Sequence, residues 1–178
     1  MWKKMGIGVA ALLVAFFVFL TWYKFHYSMD VARSYEVNSP DLERRVLVAT
    51  QGSAFKDAVV SALIAHLKER QAYIKVVDVS ALPGLDEGKW SAIVVIHTWE
   101  NWKPQADAKA FLERAKDLNK VIVVTTSGRG DFKMDGVNAI TSASVMANAP
   151  AIAEKIESRL DPLLATGANS VVSNSMRM

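Results

Sequence analysis

Hydrophobic and polar positions fall into two regimes along this chain. From Met5 to Tyr23 the sequence MGIGVAALLVAFFVFLTWY carries no charge. Wound as a helix at 1.5 Å per residue it would be about 28 Å long, close to the hydrocarbon thickness of a bilayer. A transmembrane helix is expected here, with Trp2, Trp22, Tyr23 and Tyr27 at its ends, where amphipathic rings favour the headgroup level. From Arg45 onward, short apolar runs alternate with stretches of helical periodicity. VLVAT (46–50) reads as a strand, and the next stretch, Phe55–Arg70, places Phe55, Val59, Val60, Leu63, Ile64 and Leu67 on one helical face. Tyr73–Val79 alternates as a second strand, and Ala81–Lys89 (ALPGLDEGK) carries turn residues instead of a crossover helix. SAIVVI (91–96) and Val121–Val124 are continuous β-branched runs, the mark of strands buried on both faces of a parallel sheet. Between them, His97–Lys103 reads as a polar and aromatic loop. Pro104 suits a first helical turn, followed by a helix that turns Ala108, Phe111, Leu112, Ala115 and Leu118 inward. A glycine-bearing loop (125–136), a short fifth strand (137–140) and a helix over 150–164 built on Ile152, Ile156, Leu160 and Leu163 complete the pattern.

Five strands joined mainly by helices predict an α/β fold, a three-layer sandwich around a parallel sheet, preceded by one N-terminal transmembrane helix. The expected organisation is an anchor over 1–24, a polar stalk over 25–44 with Asn38-Ser39-Pro40-Asp41 as its turn, one domain over 45–164, and a disordered Ser/Asn/Ala-rich tail over 165–178. A cleaved signal peptide would have a shorter apolar run and a small-residue cleavage site. The nearest candidate, Asp30-Val31-Ala32, places an acid where a small neutral residue is needed. Lys3 and Lys4 precede the apolar run, so the positive-inside rule puts the N-terminus in the cytoplasm and the domain outside the cell inner (plasma) membrane, periplasmic or otherwise extracytoplasmic.

Composition narrows the function classes. Zero cysteines exclude disulfides, thiolate metal sites and cysteine nucleophiles. The formal charge of +3 comes without any long basic run, which argues against nucleic acid as a partner. His26, His66 and His97 are too scattered for a histidine metal site. His66 lies off the apolar stripe of its helix and reads as a solvated surface residue. His97, just after a buried strand, reads as a hydrogen-bonded histidine at the core's edge. No nucleophile and base pair up in any motif, so an enzymatic activity is neither assigned nor excluded.

Three loops sit where parallel sheets place their ligands, at the carboxyl ends of strands. They are Thr50-Gln51-Gly52-Ser53-Ala54-Phe55, His97-Thr98-Trp99-Glu100-Asn101-Trp102 and Ser127-Gly128-Arg129-Gly130-Asp131-Phe132. In these loops the chain resembles the flavodoxin-like family over roughly residues 45–164. The resemblance implies a five-stranded parallel flavodoxin-like sheet and an FMN site. Thr50, Gln51, Gly52 and Ser53 would form the phosphate loop, Thr98 and Trp99 would lie on the isoalloxazine, and Gly128, Gly130, Asp131 and Phe132 would cover its other side. The chain departs from the family pattern in the phosphate loop: Gly52 and Ser53 stand in swapped order, and Phe55 replaces the last hydroxyl. A phosphoacceptor receiver domain shares the strand order but needs acids at the ends of the first and third strands, where Thr50 and His97 stand.

Two functions are therefore expected. The first is an accessory module of a membrane system, carrying a degenerate flavin site and binding a membrane-protein partner through the edge that bears Trp99 and Trp102. The alternative is an FMN-binding electron-transfer protein at the membrane. The thinned phosphate loop and a location where FMN is scarce favour the first.

Overall fold

The computed structural model of the chain describes residues 2–27 and 29–175. It divides into two units, 1–30 and 31–178. In the first unit, helix α1 (Trp2–Tyr27) contains a window, Met5–Trp22, that is long and apolar enough to cross a membrane. Every side chain in that window is exposed and nearly all are apolar, so the window is hydrophobic on all sides.

The second unit is an α/β domain around a mixed, mostly parallel sheet. Its strands are β1 (Tyr35–Val37), β2 (Arg45–Thr50), β3 (Tyr73–Asp78), β4 (Ala92–Glu100), β5 (Lys103–Pro104), β6 (Val121–Thr126) and β7 (Ala139–Ser142). They lie in the order β1-β3-β2-β4-β6-β7, with β5 paired to β4. The pairings among β3, β2, β4, β6 and β7 are parallel. Strand β1 pairs antiparallel with β3, and β5 folds back antiparallel on the end of β4. In place of the expected purely parallel five-stranded sheet, the sheet is mixed, with two short antiparallel pieces, β1 and β5. Both were hidden in polar segments too short to show a period of two.

Three helices belong to this unit: α2 (Ala54–Glu69), α3 (Ala106–Arg114) and α4 (Ala149–Ser175). Alternation along the strands sends Val46, Val48, Val94, Ile96 and Val124 toward α2 and α4. The intervening Leu47, Ala49, Ile93, Val95 and Val123 face α3 and a 3-10 turn at Val79–Gly84. The central strands are buried on both sides, which accounts for their unbroken apolar runs. The connections from β3 to β4 and from β6 to β7 contain no α-helix, in keeping with the turn residues in both segments.

Several boundaries differ from expectation. The domain begins at Val31, well inside the expected stalk, because Tyr35-Glu36-Val37 adds a strand and Ala32 is buried with its N–H donating to Asp78 Oδ2 at 2.8 Å. Pro104 lies in β5, and the next helix starts after Gln105, whose side chain caps it by accepting from the Ala108 N–H at 2.7 Å. Leu118 is 44% exposed in a 3-10 turn that follows the end of α3. At the end of the α4 stripe Leu164 is the buried position, with Leu163 only partly buried beside it. That helix continues to Ser175 through most of the segment expected to be disordered, and 176–178 lie outside the described residues. His66 is not freely solvated: its Nε2 lies 2.8 Å from Asp161 Oδ1, and Arg70 reaches the same carboxylate at 2.7 Å, joining α2 to α4.

Candidate functional site

The parallel register brings the three sequence-flagged loops to one edge. Thr50 pairs with Asp78 on one side and Ile96 on the other, Thr98 pairs with Thr126, and Thr126 with Ser142. Strand β4 alone runs past this line, to Glu100. The expected loop at His97–Lys103 is therefore mostly the last part of a strand and a hairpin. Its reach comes from Thr98 and Trp99, residue types that favour extended backbone.

Beneath the edge lies a polar cluster. Ser53 caps α2 by accepting from the Lys56 N–H at 3.3 Å, which places Lys56 in the first helical turn. The Lys56 side chain is fully buried, and its Nζ donates to Thr98 Oγ1 at 2.6 Å. Thr98 Oγ1 in turn lies 2.9 Å from Thr126 Oγ1. Gln51 Oε1 accepts from the Thr98 N–H at 2.7 Å, while its Nε2 donates to Glu100 Oε1 at 3.2 Å. His97 is buried with Nε2 3.1 Å from Thr125 Oγ1, the hydrogen-bonded role expected of it. Burial pushes the Lys56 ammonium down to about 8, against the raising influence of Glu100 and Asp57. Burial likewise pushes His97 down to about 4; a backbone hydrogen bond at Thr98 opposes this and the charge of Lys56 adds to it. A cation in the first turn also opposes the helix dipole, so the position costs stability twice over.

Above this cluster stand the aromatic rings. Trp99 and Phe132 are 5.7 Å apart between centroids, and Trp102 and Phe132 are 5.6 Å apart. The Arg129 guanidinium lies 4.9 Å over the Phe132 ring and 3.4 Å from Asp131. Trp102 is 78% exposed. It forms, with Asn101, a two-residue turn between Glu100 and Lys103, and both turn residues have positive φ, 48° and 63°. Hairpin turns of this hand favour Asn-Gly, so a tryptophan in the second place is a steric exception.

The remaining flagged residues divide clearly. Thr50 and Gln51 are buried, and Thr50 Oγ1 donates to the Gln51 carbonyl at 3.2 Å. Gly52 is buried between β2 and α2, and Gly128 is exposed with open space around it. Gly130 has φ +78°, and a Cβ there would sit 2.4 Å from the Ala143 nitrogen, so its glycine serves a close backbone crossing.

The flavin implied by the resemblance fits this arrangement poorly. A ring stacked between Trp99 and Phe132 needs two contacts of about 3.5 Å, roughly 7 Å in all, whereas the two side chains already lean on each other. On the phosphate side, the Gln51 and Ser53 side chains are committed to Thr98, Glu100 and the helix cap.

Lys56, Thr125 and Thr126 are not among the residues that the sequence motifs point to. For Lys56 a signal existed: with Val60, Leu63 and Leu67 it makes the 4-3-4 spacing of a core-facing stripe, so a lysine stands where an apolar residue belongs. The fold and edge together define the class as an α/β domain with a mixed, mostly parallel sheet, carried on a chain with one N-terminal helix able to cross a membrane. Compared with protein-family models and with curated proteins, the chain matches none.

Proposed function

We propose that this protein is a single-pass, membrane-anchored flavodoxin-like domain that serves as an accessory, partner-binding module of a membrane system. Its N-terminus is cytoplasmic, its domain lies outside the inner membrane, and a membrane-protein partner docks on the Trp99/Trp102 edge. The order β3-β2-β4-β6-β7 supports the flavodoxin-like reading, since it is the 2-1-3-4-5 arrangement of such sheets. Anchoring is supported by the apolar helix, and orientation by Lys3 and Lys4.

One observation carries the docking function. Trp102 is held in left-handed backbone at the tip of a hairpin, mostly in water, with its ring against Phe132. A bulky side chain there adds backbone strain and exposed apolar surface while contributing little to the core. Such strain is tolerated where a surface is used, and exposed tryptophans are frequent anchors of interfaces. The crowding of Trp99 against Phe132 weighs against the FMN electron-transfer alternative.

Trp102→Gly separates the roles. Glycine relieves the left-handed conformation, a gain of about 1 kcal/mol, and loses a ring contact of similar size, so unfolding in urea should shift by no more than about 1 kcal/mol. Recovery of the protein with its complex from native membranes should fall by about 2 kcal/mol in association, roughly 30-fold. A large loss of fold stability, or unchanged recovery, would show that Trp102 is packing and not an anchor. A flavin absorption spectrum in the purified protein would favour the alternative.

A further inference from the structure

Where the chain enters the domain bears on what the docking edge faces. Ala32, the second residue of the domain, donates its N–H to Asp78 Oδ2, and Asp78 is the last residue of β3. Strand β1 then runs antiparallel from this end of β3 toward its start, with Tyr35 opposite Val76 and Val37 opposite Ile74. The chain thus joins the domain at the carboxyl edge of the sheet, the edge that carries Trp102. Residues 23–30 separate the membrane-capable window from the domain and span at most roughly 28 Å even when fully extended.

The exposed apolar side chains of the domain share this bias. Val31 is 79% exposed at the entry point, Trp102 78% at the hairpin tip, and Val145 and Met146 52% and 54% on the segment leaving β7. Tyr35 opens β1, and among the described residues only Leu118 lies at the amino edge, just ahead of β6. Exposed Arg33, Lys103 and Arg129 accompany the apolar group, Arg129 facing Asp131. Tryptophan with scattered basic and apolar neighbours suits the headgroup layer of a membrane, where rings lie at the interface and cations meet lipid phosphates. Attachment through the same edge makes even a weak contact effective, because the tether holds the local lipid concentration high.

We propose that the carboxyl edge of the sheet rests on the bilayer, with Val31, Trp102, Val145 and Met146 seated among lipid headgroups. The proposal rests on the anchoring part of the function above and narrows the partner to one embedded in the membrane. The lipid surface is the occupant for which the entry point and the exposed apolar set both argue.

The absence of cysteine allows a direct test, since a single introduced cysteine takes a unique nitroxide label. The full chain carrying Val145→Cys, Met146→Cys or Trp102→Cys is reconstituted in phosphatidylcholine vesicles, with and without added phosphatidylglycerol. Leu118→Cys on the opposite edge is the control. Labels at 145, 146 and 102 should be shielded several-fold from a water-soluble nickel chelate relative to the label at 118, and should be reached preferentially by oxygen. Equal access at all four positions would overturn the proposal. Shielding that arises only in native membranes would also overturn it, leaving the edge to a protein partner alone. Shielding in protein-free vesicles without any partner in cells would uphold it while removing the partner-binding function. Val145 and Met146 are exposed, so those two variants keep the test valid if Trp102→Cys folds poorly.

Discussion

Gly130→Ala is expected to destabilise the domain by about 2–4 kcal/mol, combining left-handed backbone strain with overpacking. Both causes are visible at one atom. The residue sits at φ +78°, and an added Cβ would lie 2.4 Å from the Ala143 nitrogen and 2.8 Å from the Ser142 carbonyl carbon. Neither neighbour is a flexible side chain that could move aside: they are the backbone leaving β7, which Ser127 also binds by donating its N–H to the Ser142 carbonyl at 3.1 Å. The alanine methyl would therefore push the 127–132 loop outward and take Phe132 from beneath Trp102. Thermal unfolding should drop by on the order of 10 °C. The same substitution at Gly128 meets nothing within 4 Å and should change stability by less than about 0.5 kcal/mol. Equal effects at the two glycines would contradict the close crossing.

Stability is expected to depend on pH in two separate windows. His97 has a folded-state value near 4 against an ordinary 6.5. The unfolded chain therefore binds a proton first as pH falls from 6.5 to 4, and folding loses on the order of 3 kcal/mol across that range. Lys56 acts at the other end. Its folded-state value near 8 lies below the ordinary 10.5, so the folded chain releases this proton first. Stability then rises by a similar order of magnitude between pH 8 and 10.5, and below pH 8 the domain carries a buried ammonium whose desolvation the hydrogen bond to Thr98 and the charges of Glu100 and Asp57 offset only in part. Lys56→Met keeps the volume and removes the charge. It should be more stable than the parent at pH 7 by about 2 kcal/mol, should lack the alkaline rise, and should carry a less depressed His97. Urea unfolding of both proteins from pH 4 to 10 checks this. A variant less stable than the parent at pH 7 would mean that the hydrogen bond from Lys56 to Thr98 outweighs desolvation.

These two regions also show what could be read from the chain without its structure. The buried strands β2, β4 and β6 were legible because parallel strands covered on both faces need unbroken apolar runs, and VLVAT, SAIVVI and VIVV supply them. Helix α2 was legible through its stripe, yet the same stripe contained Lys56, whose charge masked a position that the spacing marked as interior. Strands β1 and β5 were not legible: Tyr35–Val37 and Lys103–Pro104 owe their conformation to the strands they pair with, and not to any pattern of their own. The same holds for the hairpin. Asn101-Trp102 carries no glycine to signal a turn with positive φ, so the sequence pointed to the two tryptophans without showing which one stands in water. Of the three flagged loops, the convergence on one edge followed from parallel topology. The use of Gln51, Thr98 and Thr126 as internal ties depended on side-chain distances that periodicity does not encode.

The central claim, that the Trp102 edge is where this domain meets its membrane partner, is tested most directly by photocrosslinking in intact cells. A benzophenone amino acid replaces Lys103, beside the hairpin tip, or Leu118, on the opposite edge; both side chains are exposed. Irradiation should give a discrete adduct with a membrane protein from position 103, none from 118, and a much weaker one from 103 when Trp102→Gly is also present. No adduct from 103, or the same adducts from both positions, would contradict the account.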